Sequence, residues 1–530
     1  MTKTAGSGRR AAVVSMAVLL GTLAAIQVLP DQRSLGILSV IVLHGILYVM
    51  TLAYMASRVE RTVEILSDGR FYLFTMLLIY AVAVPLLSLV DGYPARNLSL
   101  LPHIRARVSS EATIMYSQAG SIVLYAGALL GAFLVWRHSG RGAGRADSPA
   151  RGRDESPQPT ALTTGLGAAT WYWTAISAVS TFVFCIPFLM GGFDVLRRGG
   201  TVIDIDGFSA IAGGSLPLTL IGFLFSAEVM TASTLVLMAV LYLRYRKGGG
   251  TLALVLLVGF HLALALVTTR TIRAVIFVFA ICVLASLPGP AKGRKPLTMV
   301  LAVMPVLVVV IGALNLAPSL LDESNANYDA PTSLADLLRS ADPSGPYDAY
   351  FRALEQEPIA GMAANAVVSF VSSLPFIGGF LLESVGVDPT PPLATWMRSE
   401  YPEIYGVGGG LAAMPQIEGY LTAGLVGCFA TGAIMGMVSR LSRTVLGSLF
   451  VAALSVLFAR GSLGILAQLA VPYGLVVVLF FGVVVPKLMH LPSIGVIRDG
   501  VEEARARSGA PSTPSTAGGQ PSISAQHYRA

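Results

Sequence analysis

Charged side chains are scarce in this 530-residue sequence. Asp, Glu, Lys and Arg make up 12% of the residues, whereas soluble globular domains carry roughly 25%. Hydrophobic residues make up 54%. A chain with so few polar groups cannot cover a folded surface in water, which excludes a soluble enzyme, a disordered scaffold and a coiled coil. The composition is that of a polytopic membrane protein.

Metal- and nucleotide-binding motifs are also missing. The three cysteines, Cys185, Cys282 and Cys428, lie in apolar stretches and are interpreted as small core side chains, so neither a disulfide nor a Cys-based metal site is predicted. The sequence contains no P-loop and no His-Glu-x-x-His motif, which argues against ATP as the energy source and against a catalytic zinc ion. We therefore expect no cofactor and no metal.

Long apolar runs, in contrast, are abundant. A bilayer core about 30 Å thick needs roughly 20 apolar residues per helix. The sequence predicts an all-α, polytopic integral membrane protein with about 12 transmembrane helices. The predicted spans are 11–29, 35–57, 71–90, 117–136, 169–190, 216–243, 251–269, 271–287, 297–316, 413–438, 444–459 and 462–486.

The basic residues indicate the orientation of these spans. The formal net charge is +7, but Lys and Arg stand in short clusters between apolar runs, which is typical of topology signals and not of a nucleic-acid-binding face. With the N-terminus inside, the inner segments hold 24 of the 36 Lys and Arg residues. This excess predicts that both termini lie on the cytoplasmic side, and no nucleic-acid partner is expected.

The apolar runs divide the chain into four parts. Residues 1–316 hold spans one to nine, interrupted by an Arg-, Ser-, Gly- and Pro-rich segment, 137–168, that predicts a disordered cytoplasmic linker. Residues 317–412 form one large extracytoplasmic loop, and 413–490 hold spans ten to twelve. Residues 491–530 predict a disordered cytoplasmic tail.

The large loop is predicted to contain short helices. Loops of this length are usually functional, and this one carries twelve acidic residues against three arginines. Residues 332–341 and 346–356 have apolar positions at helical spacing and predict amphipathic helices at the membrane interface. Residues 361–382 are apolar but broken by proline and glycines, which favours a re-entrant or groove-lining segment. The Pro- and Gly-rich run 388–410 predicts irregular backbone.

Two arginines interrupt the apolar sequence where predicted spans seven and eight meet. Arg270 and Arg273 are three residues apart, so they share one helical face if span eight begins near Thr269. Arg273 would then lie in the first turn, where the macrodipole disfavours a cation unless an anion is bound. Guanidinium groups suit phosphate oxygens. We interpret the pair as a candidate phosphate site; the alternative is that both only anchor the span at the interface.

Ionisable residues inside spans are functional candidates because burial in a membrane is costly. Glu418, at the outer end of span ten, is interpreted either as a general base or hydroxyl orienter, or as a structural carboxylate that pairs with an arginine and locks spans together. Glu228, His44 and His261 lie in other spans. They are interpreted as satisfied interior groups, with a proton relay as the alternative.

Four features of residues 250–440 together resemble one protein family. One large outer loop precedes the last three of about twelve spans, and an arginine-bearing junction, TTRTIRAVIFVFA, stands two spans before that loop. The loop ends in PPLATWMRSEYPEIYG and is followed by GGGLAAMPQIEGYLTAGLVGCFATGAIMG. This pattern is similar to that of the bacterial O-antigen polymerases, the oligosaccharide repeat-unit polymerases of the Wzy type.

The resemblance implies a GT-C-like fold and an inverting glycosyltransferase in the cytoplasmic membrane. Such an enzyme joins repeat units carried on undecaprenyl diphosphate at the outer face of that membrane. It transfers the growing chain from its lipid diphosphate to the non-reducing end of a new lipid-linked unit. The lipid-linked donor and acceptor are then the expected partners, with a chain-length regulator and a flippase as further candidates.

The resemblance also implies roles for individual residues. Arg270 and Arg273 match the family's outer arginines that grip diphosphate, and Glu418 matches the acid after the large loop, so these three are the candidate catalytic residues. Candidate sugar-binding residues are Arg352, Arg398, Tyr401 and Tyr420. The sequence departs from the family after Glu-x-Tyr, where Leu-Thr replaces the usual Asn-Phe, and this departure affects expected contacts with the acceptor.

Two other functions remain as alternatives. An O-antigen ligase shares the architecture, but ligases use a histidine in the large loop as a candidate base, and residues 317–412 contain none. A transporter or flippase for a lipid-linked glycan predicts internal repeats and a polar site at mid-membrane. No repeat relates residues 1–250 to 251–490, and Glu228, His44 and His261 are the residues that would serve a carrier.

Overall fold

The computed structural model describes residues 33–56, 62–90, 111–142, 231–232, 234–239, 242, 271–286, 344–374, 377–402 and 413–481. These residues form helices, with no β-strand among them, in agreement with the predicted all-α class. The α-helices, numbered here in chain order, are α1 (Arg33–Ala56), α2 (Gly69–Val90), α3 (Glu111–Gly142), α4 (Thr271–Ser286), α5 (Ser344–Leu354), α6 (Asn365–Ser372), α7 (Gly378–Ser384), α8 (Pro392–Glu400), α9 (Pro415–Val438), α10 (Val445–Arg460) and α11 (Leu463–Phe481). A further helical fragment lies within 231–242.

Three of the described helical segments are long and apolar enough to cross a membrane. They are Gly36–Ala56, Tyr116–Val135 and Pro415–Ser442. Helices α2, α4, α10 and α11 contain shorter apolar stretches. All of them stand where the apolar runs predict helices, and the chain has the features of a membrane protein. Predicted spans 11–29, 169–190, 251–269 and 297–316, and the tail 491–530, lie outside the described residues.

Helix α3 is longer than the sequence predicts. It continues to Gly142 and so includes the first residues of the segment 137–168, which composition predicts to be a disordered linker. Residues 137–142 are helical, and the rest of the predicted linker 137–168 lies outside the described residues.

The closest helix pair in the described core is formed by α3 and α9, through glycines on both sides. A Cβ atom on Gly127 or Gly131 of α3 would overlap with a backbone carbonyl of α9, and one on Gly432 or Gly436 would overlap with a carbonyl of α3. Both helices therefore carry a Gly-x-x-x-Gly motif at their contact. Small residues of this kind let helix backbones approach closely where no water drives association.

Helix α9 is not one continuous helix, although the sequence predicts a single span over 413–438. Gly424 has φ 60° and ψ −141°, a conformation that residues with side chains rarely adopt. The chain reverses direction at Gly424. The evidence is the short distance of 3.5 Å between Cys428 Sγ and the carbonyl oxygen of Gln416. In a straight helix these residues would be about 18 Å apart. Composition alone treats Pro415–Ser442 as one apolar stretch, but only the part after Gly424 is a continuous helix.

Helix α5 lies inside the helix bundle, and the prediction of an interfacial helix over 346–356 is wrong in its location. Tyr347 and Tyr350 are fully buried. The Tyr347 hydroxyl donates to the carbonyl of Ala81 in α2 at 2.7 Å and accepts from Gln118 Nε2 of α3 at 3.1 Å. Burial raises the pKa of Tyr347, which keeps the phenol a neutral donor. The loop thus contributes to the core that it was expected only to cover.

The end of the loop forms three short helices, α6, α7 and α8. Helices α6 and α7 occupy 361–382, in place of a full crossing, and α6 packs along α11. Helix α8 corrects the prediction of irregular backbone for residues 392–400, while residues 388–391 are non-helical and 403–410 lie outside the described residues. Pro392 occupies its first turn, where no amide hydrogen is needed, and Leu393, Trp396 and Met397 bury one face. Proline therefore starts this helix.

Candidate functional site

Glu418 is the buried carboxylate around which the candidate site is built. It lies in the first turn of α9 and its side chain is buried, 4% exposed. Its Oε1 accepts a hydrogen bond from Asn365 Nδ2 at 2.9 Å, and its Oε2 accepts one from the backbone amide of Gly464 at 3.2 Å. Asn365 Oδ1 in turn accepts from the amide of Leu393 at 3.0 Å. Among the described residues no arginine forms an ion pair with Glu418, and its hydrogen-bond partners there are neutral donors.

Four helices begin at this carboxylate. Glu418 stands in the first turn of α9, Asn365 is the first residue of α6 and Gly464 is in the first turn of α11. Leu393, in the first turn of α8, reaches the carboxylate through Asn365. The positive ends of helix dipoles and their free amide groups favour an anion. This arrangement explains how one carboxylate is retained in an apolar setting without a cation.

Gly464 makes the close contact between α6 and α11 possible. A Cβ atom there would lie 2.7 Å from Ser369 Oγ and would overlap with Asn365 Nδ2. Ser462, two residues before Gly464, is buried and accepts a hydrogen bond from the amide of Ile465 at 3.3 Å, which caps α11. The start of α11 is thus shaped to place its amide against Glu418.

A second polar cluster joins α5 to the end of α8. Arg352 Nη1 donates to the backbone carbonyl of Glu400 at 2.7 Å and lies 3.6 Å from its carboxylate. The Arg352 guanidinium also stacks over the Tyr401 ring, 4.3 Å from its centroid. Gln356 Nε2 donates to Glu400 Oε1 at 2.8 Å, and its Oε1 accepts from Trp396 Nε1 at 2.7 Å. Two candidate sugar-binding residues, Arg352 and Tyr401, are therefore in contact.

The accessibility of the candidate sugar-binding residues differs. Tyr401 is fully buried and forms the platform beneath Arg352, which is half-buried. Arg398 is exposed on α8. Tyr420 is half-buried and meets the ring of Tyr116 edge to face, with centroids 6.1 Å apart. Arg398 and Tyr420 thus present more surface to a ligand than Tyr401 does.

The candidate diphosphate ligands are only partly described. Arg270 lies outside the described residues, and the side chain of Arg273 does as well. The backbone of Arg273 is helical and lies in α4, whose described residues run from Thr271 to Ser286.

Of the three residues that would serve a carrier, the structure describes one, His44. Glu228 and His261 lie outside the described residues. His44 is buried in α1, and its Nδ1 lies 2.9 Å from the carbonyl oxygen of Val40, one turn earlier in the same helix. Within the described ranges, no three His, Cys, Asp or Glu side chains converge as a metal site would require.

Comparison with known proteins identifies no relative. The chain matches no protein-family model, no curated protein and no solved structure. The functional argument therefore depends on the residues and their geometry.

Sequence reasoning missed three residues that organise the site. Asn365 links Glu418 to α8, while Gln356 and Trp396 tie α5 to α8. One signal in the sequence points to Asn365: it is the sole amide side chain in 358–382, a stretch without any charged residue. No comparable signal marks Gln356, because its role depends on how two loop helices pack.

The arrangement has a defined chemical capacity. Asn365 and the amide of Gly464 each donate to one oxygen of Glu418, and the amide of Leu463 and the hydroxyl of Ser462 also lie within its hydrogen-bonding environment. A substrate hydroxyl would take the place of one of these neutral donors, and Ser462 is the one that a hydroxyl group resembles. The site is suited to orient a hydroxyl group, or to take its proton, beside loop helices that carry Arg398 and Arg352.

Proposed function

We propose that this protein is an inverting membrane glycosyltransferase that polymerises lipid-diphosphate-linked oligosaccharide repeat units at the outer face of the cytoplasmic membrane. In this proposal the fold is GT-C-like, with about twelve spans, and both termini are cytoplasmic. One observation carries it: a buried carboxylate, Glu418, is joined by Asn365 to the helices that end the large loop. A general base must lie within hydrogen-bond reach of the hydroxyl whose proton it takes, and burial can tune a carboxylate for that role.

The proposed reaction is a single displacement. The acceptor hydroxyl oxygen attacks the anomeric carbon of the growing chain, forming the new glycosidic bond with inversion. The bond from that carbon to the lipid diphosphate breaks, and its electron pair leaves with the diphosphate. Glu418 orients the hydroxyl and accepts its proton. Arg270 and Arg273 stabilise the charge on the departing diphosphate through their guanidinium groups.

The loop helices supply the sugar contacts in this proposal. Arg398 is exposed on α8, and Tyr420 is half-buried two residues after the proposed base. Arg352 acts together with Tyr401, since its guanidinium is stacked on that ring. The acidic character of the loop outside these helices suits a neutral or basic sugar surface better than an anionic one.

Glycan chain length in cells is the test. We expect Arg270→Ala to shorten long polymer to a single repeat unit, through a rate loss on the order of 100-fold or more, because one electrostatic stabiliser of the leaving group is removed. Glu228→Ala, a change in predicted span six at a residue with no role in the proposed reaction, serves as the control and should leave chain length nearly unchanged. Protein levels are compared in both strains.

The opposite outcomes are equally clear. Normal polymer from the Arg270→Ala strain contradicts the diphosphate site. Loss of even the single-unit product from the Glu228→Ala strain contradicts a polymerase and identifies a translocation step, because a polymerase defect leaves the first unit on the surface.

A further inference from the structure

Helices α6 and α7, with the turn that follows α7, expose an unusual amount of apolar side chain. We call residues 365–387 the apolar hairpin. Val367 is 63% exposed, Phe370 42%, Phe380 71% and Val385 71%. In water an apolar face of this extent is a liability that soluble proteins avoid. The large apolar side chains that the candidate spans expose, such as Phe133 at 48%, have comparable exposure.

The apolar face is held outward by packing on the opposite side. Val368 and Ser369 of α6 are buried, and α6 packs along α11. Leu382 of α7 is buried, and a Cβ atom on Gly378 would overlap with the carbonyl of Val371, so the two helices are in close contact. The orientation of the hairpin is thus fixed by its inner face.

Three serine hydroxyls of the hairpin are satisfied within the hairpin itself. The hydroxyls of Ser372, Ser373 and Ser384 each donate to the carbonyl three residues earlier, at 3.1, 2.7 and 2.8 Å. At the end of α7, the amide of Val387 donates to the carbonyl of Leu382 at 2.9 Å, across Gly386 with φ 73°. Internal satisfaction of this kind is what hydrocarbon demands, since no water is present to complete a hydrogen bond.

Charge defines where the hairpin ends. No charged residue occurs over 358–382, whereas Glu383 and Asp388 are both exposed at its far end. The backbone amide and hydroxyl of Thr390 donate to Asp388 and lower the pKa of that carboxyl. Asp388 therefore stays ionised and marks the point where the chain returns to water.

We propose that the apolar hairpin is inserted in the hydrocarbon of the membrane leaflet that meets the N-terminal end of α11. Val367, Phe370 and Phe380 face acyl chains, whereas Glu383 and Asp388 lie at the headgroup level with Val385 between them. The hairpin does not cross the bilayer. It anchors α6, and with it Asn365, at a fixed depth next to Glu418. The proposal concerns membrane placement and is independent of the proposed reaction.

Spin-label accessibility in proteoliposomes tests the insertion. Single cysteines are introduced as Val367→Cys and Phe380→Cys in full-length protein with Cys185, Cys282 and Cys428 replaced by alanine. Each nitroxide is exposed to oxygen, which concentrates in hydrocarbon, and to a water-soluble nickel complex. Phe133→Cys on α3 is the lipid-facing control, and Thr395→Cys, exposed on α8, is the control in water.

Both hairpin labels should match the Phe133→Cys control, with collisions with oxygen several-fold above those with the nickel complex. Labels that match Thr395→Cys contradict the proposal, because the hairpin is then in water. Labels shielded from both reagents contradict it as well, since protein, either a second copy or another chain, then covers the face. The two positions lie on different helices, so misfolding of one variant leaves the other as a test.

Discussion

A single carboxylate, Glu418, can serve as a structural anchor or as a base, and its hydrogen bonds offer a way to separate the two roles. In the single variant Glu418→Gln, the new side-chain NH2 group faces another donor. The amide has one acceptor oxygen and cannot accept from both Asn365 Nδ2 and the Gly464 amide. Combining it with Asn365→Asp reverses the direction of the bond between the two side chains. The Asp then accepts from Leu393 and from the Gln, and the Gln still accepts from Gly464.

We expect the exchanged pair to recover stability but not activity. The single variant should lose about 1–3 kcal/mol of unfolding free energy, the usual cost of an unsatisfied buried polar group, and the pair should regain most of it. Polymer synthesis should stay about 100-fold or more below the wild-type rate in both, because a base at 418 is absent from each. Thermal unfolding in detergent and glycan chain length measure the two effects. Recovery of polymer in the pair would show that Glu418 is only an anchor.

At the scale of elements, the reversal within α9 depends on one backbone position. Gly424 has ψ −141° at φ 60°, a combination that is nearly exclusive to glycine, and an added Cβ would meet no atom within 4 Å. Gly424→Ala therefore tests backbone strain without a steric clash. We expect a loss of about 1–3 kcal/mol in unfolding free energy. Gly45→Ala in α1, which also meets no atom within 4 Å, is the control and should be neutral or slightly stabilising. Equal stability of the two variants would contradict the reversal.

The contact between α3 and α9 makes a separate prediction. Gly432→Leu places a side chain into the carbonyl of Leu124, so the helices must separate. Overpacking of this kind costs about 1–3 kcal/mol, and we expect a lower melting temperature with less monodisperse protein. Ile434→Leu, on the same helix but 43% exposed, is the matched control and should behave as wild type. A stable Gly432→Leu protein would mean that the two helices are further apart.

Hydropathy could predict the positions of the long apolar helices among the described residues, but neither the short helix α8 nor the interruption of α9. The run 71–90 corresponds to Gly69–Val90, because a long apolar stretch has no other stable form in a membrane. The reversal at Gly424 leaves no trace in hydropathy, since it exists because Gly419 packs against Gly427. For the same reason, the burial of Tyr347 between α2 and α3 is invisible in the periodicity of α5. Tertiary contacts decide both.

A residue of the candidate site could be predicted from sequence only where its charge is unfavourable in the apolar sequence around it. Glu418 stands out in the sequence because a carboxylate is costly in an apolar run. Asn365 does not, since an amide is tolerated in many places, and its role comes from meeting Glu418 across a separation of 53 residues. The four helix starts that surround the carboxylate follow from packing of α6, α8, α9 and α11, which no single segment encodes.

At the scale of the whole molecule, the loop and the spans form one unit. Helix α5 is in the core, α6 packs along α11, and Asn365 joins α6 to both α8 and α9. A substrate held by the loop would therefore meet residues whose positions are set by the membrane helices. This coupling is expected for a reaction at the membrane surface, where donor and acceptor are both lipid-linked. It argues against a loop that moves freely over the site.

The orientation of this unit is the last prediction. The bias of Lys and Arg places α8 outside the cell and the 3-10 turn Ser439–Arg443 inside. In an otherwise cysteine-free protein, Thr395→Cys should react with a membrane-impermeant maleimide on intact spheroplasts. Arg440→Cys, equally exposed in the structure, should react only after permeabilisation. The reverse pattern would place Glu418 and the loop helices on the cytoplasmic side, where lipid-linked units are not polymerised, and would contradict the proposed function together with the orientation.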